Sequence, residues 1–231
     1  ERSGYVIEHN AVFGRYAERF CGIEIYVGVL FAFAENGGGE YTFLVDEAHN
    51  LVDRSREMFS ARLRKSDFLA VKRKLSKSAG DKRLRTAFGR VNQAFLDFKK
   101  SCGEEQIHVQ TDKIDKIGEA LTSFVPRCEE WLRKNVGSPA HGEVLELYFD
   151  ALNYQKTAEL YDSHYVTLAQ LGERDTAVTL YCVDPSDFLG QALCRGTSAV
   201  LFSATLSPLP YYASVLGGTE ESKLFALPSP L

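Results

Sequence analysis

Two adjacent carboxylates, Asp46 and Glu47, follow the apolar run Tyr41-Thr42-Phe43-Leu44-Val45 and precede Ala48 and His49. A carboxylate fixed at a strand end can hold Mg²⁺, directly or through a water. The carboxylate beside it can orient and deprotonate a water that attacks a terminal phosphate. In that reading Asp46 is the metal residue, Glu47 is the base, and His49, one step into the following helix, senses the γ-phosphate. Acids also favour helix N-termini for electrostatic reasons alone, so a bare Asp-Glu pair is ambiguous.

A second string narrows the choice. The run Ser198-Ala199-Val200-Leu201-Phe202 predicts a buried strand, and it leads into Ser203-Ala204-Thr205-Leu206-Ser207-Pro208. Small hydroxyl residues both donate and accept hydrogen bonds, so Ser203 and Thr205 could bridge a nucleotide site to a nucleic-acid site. Together the two strings resemble motifs II and III of superfamily 2 helicases, and among these the XPD/DinG family of DNA helicases. Leu180 to Ser186 resembles the strand-to-helix element before motif III, and the terminal Leu227 to Leu231 fits the same context.

The resemblance implies an α/β fold: a partial RecA-like motor domain with a parallel sheet, interrupted by a mostly helical Arch insertion. The expected boundaries are 1–60 for the first part of the motor domain, 61–163 for the insertion and 164–231 for the remainder. ATP and Mg²⁺ are the implied cofactors, and single-stranded and forked DNA the implied partners. The implied activity is 5′ to 3′ translocation and unwinding, driven by hydrolysis between two motor domains. Ser203, Ala204 and Thr205 would couple hydrolysis to movement, and a protein partner could bind through the Arch region.

The chain also departs from the family. It contains no Gly-x-x-x-x-Gly-Lys-Ser/Thr phosphate loop, and nothing after Leu231 supplies a second motor domain. It is therefore expected to be a fragment, inactive alone. Cys21 resembles the last of four cysteines that ligate an iron-sulfur cluster in the family, or is a small core residue. With no other cysteine before Asp46, a 4Fe-4S cluster is an expectation for the parent protein and not for this fragment. Ile23 to Ala34 runs almost directly into Glu35 to Gly39, where relatives carry a longer segment.

Charge divides the middle of the chain. Residues 62–100 hold 13 Lys and Arg against 3 Asp, whereas 101–175 hold 7 basic and 14 acidic residues. Arg62, Arg64, Lys65, Lys72, Arg73 and Lys74 could line a path for a phosphate backbone, or form a solvated helical face. Ser66 suits the N-cap of a helix reaching Lys77. Leu84, Phe88, Val91, Phe95 and Phe98 mark the apolar stripe of a helix opened by Gly80-Asp81. Asp112 starts another with Ile114, Ile117, Leu121, Phe124 and Cys128 inward and a bend near Pro126. Pro139 opens a fourth.

Beyond it, Tyr165 to Leu168 and Val178 to Cys182 alternate around Gly172-Glu173-Arg174-Asp175, predicting a hairpin or two adjacent strands with which the motor sheet resumes.

At 231 residues, 45% apolar and a net charge of −4, the composition is that of ordinary globular protein. The longest apolar run, Ile25 to Ala34, is about half the roughly 20 residues that span a bilayer, so no membrane partner is expected. Five cysteines without a Cys-x-x-Cys pair suit a reducing compartment, cytoplasmic or, in a eukaryote, nuclear. A monomer is expected. Two other readings stay open: an RNA-directed ATPase of the Asp-Glu-Ala-His type, and a DNA- or partner-binding module without ATPase activity.

Overall fold

A computed structural model describes residues 42–75 and 82–226 of the chain. Expectations about Cys21, the segment before Thr42, the helix end at Lys77, Gly80-Asp81 and the last five residues fall outside the described residues. The chain divides into two compact units, 56–184 and the residues on either side of it. The described residues are mixed α/β, with a small parallel sheet and an antiparallel sheet.

The flanking unit holds β1 (Thr42–Val45) and the start of α1 (His49–Phe59). The central unit carries β2 (Ala61–Arg64), α2 (Lys65–Lys74), α3 (Lys82–Ser101), β3 (Ile107–Gln110), α4 (Asp115–Lys134), α5 (His141–Leu160), β4 (Tyr165–Leu171) and β5 (Thr176–Cys182). The flanking unit resumes with α6 (Ser186–Leu193), β6 (Ser198–Leu201) and α7 (Leu209–Val215).

In the central unit the sheet runs β2-β5-β4-β3, all antiparallel. One face carries Ala61, Leu63, Ala169, Leu171, Val178 and Leu180 into the core shared with the helices. The stripe on α3 is buried at each expected position, from Leu84 to Phe98. On α4, Ile117, Leu121, Phe124, Cys128 and Trp131 are buried, with Pro126 inside the helix. Phe124 meets Phe68 at 5.3 Å and Phe88 at 4.9 Å between ring centroids, edge to face, the arrangement aromatic quadrupoles favour.

Several expectations are corrected here. The hairpin of Tyr165–Leu171 and Thr176–Cys182 joins this antiparallel sheet and does not extend the parallel one. The middle of the chain is also less purely helical than its composition suggests, since 61–64 and 107–110 are strands. Ser66 does not cap α2, which begins at Lys65. Instead Asp175, in the hairpin turn, accepts bonds from the Ser66 amide at 2.9 Å and the Ser66 hydroxyl at 2.9 Å. Helix α4 starts three residues after Asp112, and α5 starts two after Pro139.

Asp175 also accepts the Thr176 amide at 2.8 Å. Burial works against its charge, but the bonds from Ser66 and Thr176 outweigh it and hold the carboxyl below the ordinary value of 3.8. A depressed pKa adds stability that is present above the unfolded value and is lost as pH falls through the folded one. Asp175→Asn is therefore expected to cost about 1–2 kcal/mol at neutral pH. It should also flatten the stability profile below the ordinary aspartate range, as urea titrations at successive acid pH values would reveal.

Tyr154 on α5 is 1% exposed, and its hydroxyl has no hydrogen-bond partner among the described residues. An unsatisfied buried hydroxyl carries a desolvation cost. Tyr154→Phe should thus raise stability by about 1 kcal/mol, a gain of a few degrees in the calorimetric melting temperature.

Candidate functional site

In the flanking unit, β1 and β6 are parallel neighbours in the register Thr42↔Ser198 to Val45↔Leu201. Residues some 156 positions apart in the chain thereby reach the same sheet edge together. The Thr42 and Ser198 hydroxyls join at 2.7 Å where the strands begin. At the far end the Phe202 amide donates to the Val45 carbonyl at 3.0 Å, and the Ala48 amide donates to the Phe202 carbonyl at 3.1 Å. The turn Asp46-Glu47-Ala48 and the turn after β6 are therefore bonded through their backbones.

Glu47 sits at φ 49°, the left-handed region. A residue with a Cβ is uncommon there, and such conformations persist where the surrounding structure enforces them, often at functional sites. The Asp46 carboxylate accepts the Glu47 amide at 2.7 Å. The Asn50 amide donates to the Glu47 carbonyl at 2.9 Å, and α1 begins at His49. The strand thus turns sharply into the helix and leaves Asp46 and Glu47 exposed, with Ala48 fully buried beneath them.

Four side chains then converge. His49 Nδ1 lies 2.8 Å from Ser203 Oγ, 3.0 Å from Thr205 Oγ1 and 3.2 Å from Glu47 Oε2. The Ser203 hydroxyl donates to Glu47 Oε2 at 3.1 Å, and the Thr205 amide donates to Ser203 Oγ at 3.2 Å. Because the one hydroxyl proton of Ser203 is directed at the carboxylate, the short His49–Ser203 contact requires the proton on Nδ1. Ser203 then accepts from the ring and the Thr205 amide while it donates to Glu47. The result is a continuous chain of donors and acceptors from imidazole to carboxylate.

The structure thus brings together Glu47, His49, Ser203 and Thr205, with Asp46 adjacent to Glu47 in the same turn. Ala204 is exposed and contributes no side-chain bond to the cluster. His49 faces the hydroxyls of the second string, a connection that the spacing within Asp-Glu-Ala-His does not foretell. Asp46 is a single exposed carboxylate at a rigid strand end, a donor set that fits Mg²⁺, which takes one or two protein carboxylates and completes its shell with water and phosphate oxygens. Among the described residues, no three His, Cys, Asp or Glu side chains gather into a metal-holding group.

The basic residues expected to line a phosphate path belong to the central unit. Arg62 and Arg64 project from the exposed face of β2, whose alternate residues Ala61 and Leu63 are buried. Arg62 donates to Gln170 Oε1 at 2.6 Å. Lys65 is only 8% exposed, which removes it from any solvent-facing path. Lys72 is half-buried, Arg73 is exposed, and Lys74 is paired with Glu143.

Of the described cysteines, Cys102, Cys128 and Cys182 are buried and Cys194 is exposed. Burial, aided by the Asp184 charge, pushes the Cys182 thiol up to about 11, the behaviour of an inert packing residue. No helix among the described residues is long and apolar enough to cross a membrane.

No protein-family model matches the chain, and no curated protein matches it.

Proposed function

We propose that the chain is part of the first motor domain of an ATP-dependent translocase or helicase acting on single-stranded DNA, and that its central unit is an Arch-like insertion. The observation that carries this reading is the bonded pairing of the Asp46-Glu47-Ala48-His49 turn with the Ser203-Ala204-Thr205 turn at one end of adjacent parallel strands. Asp46 would hold Mg²⁺, which when bound offsets charge on the phosphates. Glu47 would take the proton of the attacking water. Ser203 and Thr205, tied to Glu47 through His49 and directly, would link that event to the nucleic acid.

The exposed faces of the parallel pair also support the reading. Leu44 is 66% and Val200 49% exposed, whereas parallel strands are ordinarily covered on both sides. Such residues suit the interior of a larger sheet in a longer protein, which would also contribute the phosphate-binding loop and the second motor domain. The test is ATP turnover by the complete parent protein, with and without single-stranded DNA, comparing wild type with Glu47→Gln. Stimulation by RNA and not DNA would favour the RNA-directed reading. No stimulation by either would favour a binding module.

A further inference from the structure

Among the described residues the sheet of the central unit ends in β3, which pairs with β4 on one side only. The Leu171 amide donates to the Gln106 carbonyl at 2.7 Å, which fixes the phase of the ladder. Hydrogen-bonded positions alternate along an antiparallel pair, so His108 and Gln110 turn their backbone groups toward β4. Ile107 and Val109 turn theirs to the open edge. Their side chains, 63% and 58% exposed, stand on the sheet face that the core does not cover.

Natural edges are commonly blunted by Lys, Pro or a bulge; Ile-His-Val-Gln has none of these. His108 is held from behind, its Nδ1 2.7 Å from Glu105 Oε2 and its ring edge-on to Phe98. The edge is apolar and, among the described residues, unpaired.

We infer that the open edge of β3 is a docking site for an extended segment of a partner protein, added as a fifth strand, with alternate apolar residues and basic residues at its ends. The charges around the edge select this occupant. Glu104 and Glu105 precede the strand and Asp112 follows it. Lys113, the next residue in the chain, donates to the Ala158 carbonyl at 3.1 Å, and Lys99, ahead of the two glutamates, donates to the Gly172 carbonyl at 2.6 Å. A second copy of the chain is disfavoured, because the two-fold register that pairs Ile107 with Val109, the residues that turn to the open edge, would set Glu104 against Asp112 at both ends. Ile107 and Val109 would bond the incoming backbone and pack its alternate side chains, the mode by which sheet edges recognise peptides. This inference is independent of the proposed ATPase role.

The experiment uses the full chain and a labelled peptide, Lys-Val-Thr-Val-Thr-Val-Lys, followed by fluorescence anisotropy and amide hydrogen exchange. Binding is expected, with new protection at the Ile107 and Val109 amides. Methylation of alternate peptide nitrogens, or Glu flanks in place of Lys, should weaken it by roughly tenfold or more. The variant Glu104→Lys with Asp112→Lys alters exposed side chains only, so the fold persists; it should reverse the preference between Lys and Glu flanks. Absence of binding, equal binding of the methylated peptide, or protection elsewhere would overturn the inference. So would protection of the same amides on raising the protein concentration alone, which would assign the edge to a second copy.

Discussion

Glu47→Gln in the complete parent protein is expected to lower DNA-stimulated ATP turnover by roughly two to four orders of magnitude, the usual contribution of a positioned general base. The substitution separates chemistry from geometry. Glutamine keeps the length and planar shape of the side chain, and its carbonyl oxygen can still accept the Ser203 hydroxyl that now reaches Oε2 at 3.1 Å. What it cannot do is take a proton from water. The backbone at φ 49° is equally hard for either residue, so folding is not expected to differ.

A companion variant, Ser203→Ala, removes the donor between His49 and Glu47 but leaves the carboxylate. Its loss should be smaller, because orientation is weakened while the base remains. If both variants lost activity equally, Glu47 would be acting through position alone. If neither did, the paired turns would be scaffold.

The residue types of this cluster were legible in the sequence, and so was the pairing of the two strings. What linear spacing could not supply is the connectivity. His49 finds Ser203 and Thr205 only because β1 and β6 are parallel neighbours, a contact between segments about 150 residues apart. The helices were the most readable part, since Leu84 to Phe98 repeat at helical spacing over five positions and each is buried.

The short strands were not readable. Ala61-Arg62-Leu63-Arg64 alternates as a half-buried strand must, but four residues inside a basic run carry too little pattern to separate strand from helix. The hairpin shows a further limit: alternation marked Tyr165 to Leu168 and Val178 to Cys182, parts of β4 and β5, as strands but could not say which sheet they enter. The cap of α2 failed for the same reason, since a local Ser66 was the visible choice and the carboxylate that bonds its amide comes from Asp175.

Phe124→Ala should be the most damaging single truncation in the central unit, at about 3–5 kcal/mol. The ring is fully buried and touches Phe68 on α2 and Phe88 on α3 from its own place on α4, so its loss opens a cavity where three helices meet. Two edge-to-face contacts disappear along with the buried apolar area. The surrounding aromatic rings are stiff, and they belong to different helices, which limits how far the site can close over the void.

The readout is built into the chain, because its only tryptophan, Trp131, lies buried on the same helix. Urea unfolding followed by its fluorescence should show a lower midpoint with an unchanged slope, the signature of lost stability without a change in the surface exposed on unfolding. Phe124→Leu keeps most of the volume and should recover much of the loss. A cost below about 1 kcal/mol for the alanine variant would mean that the helices do collapse onto the cavity. The aromatic cluster would then be a filling of the core and not the joint that fixes α2, α3 and α4 together.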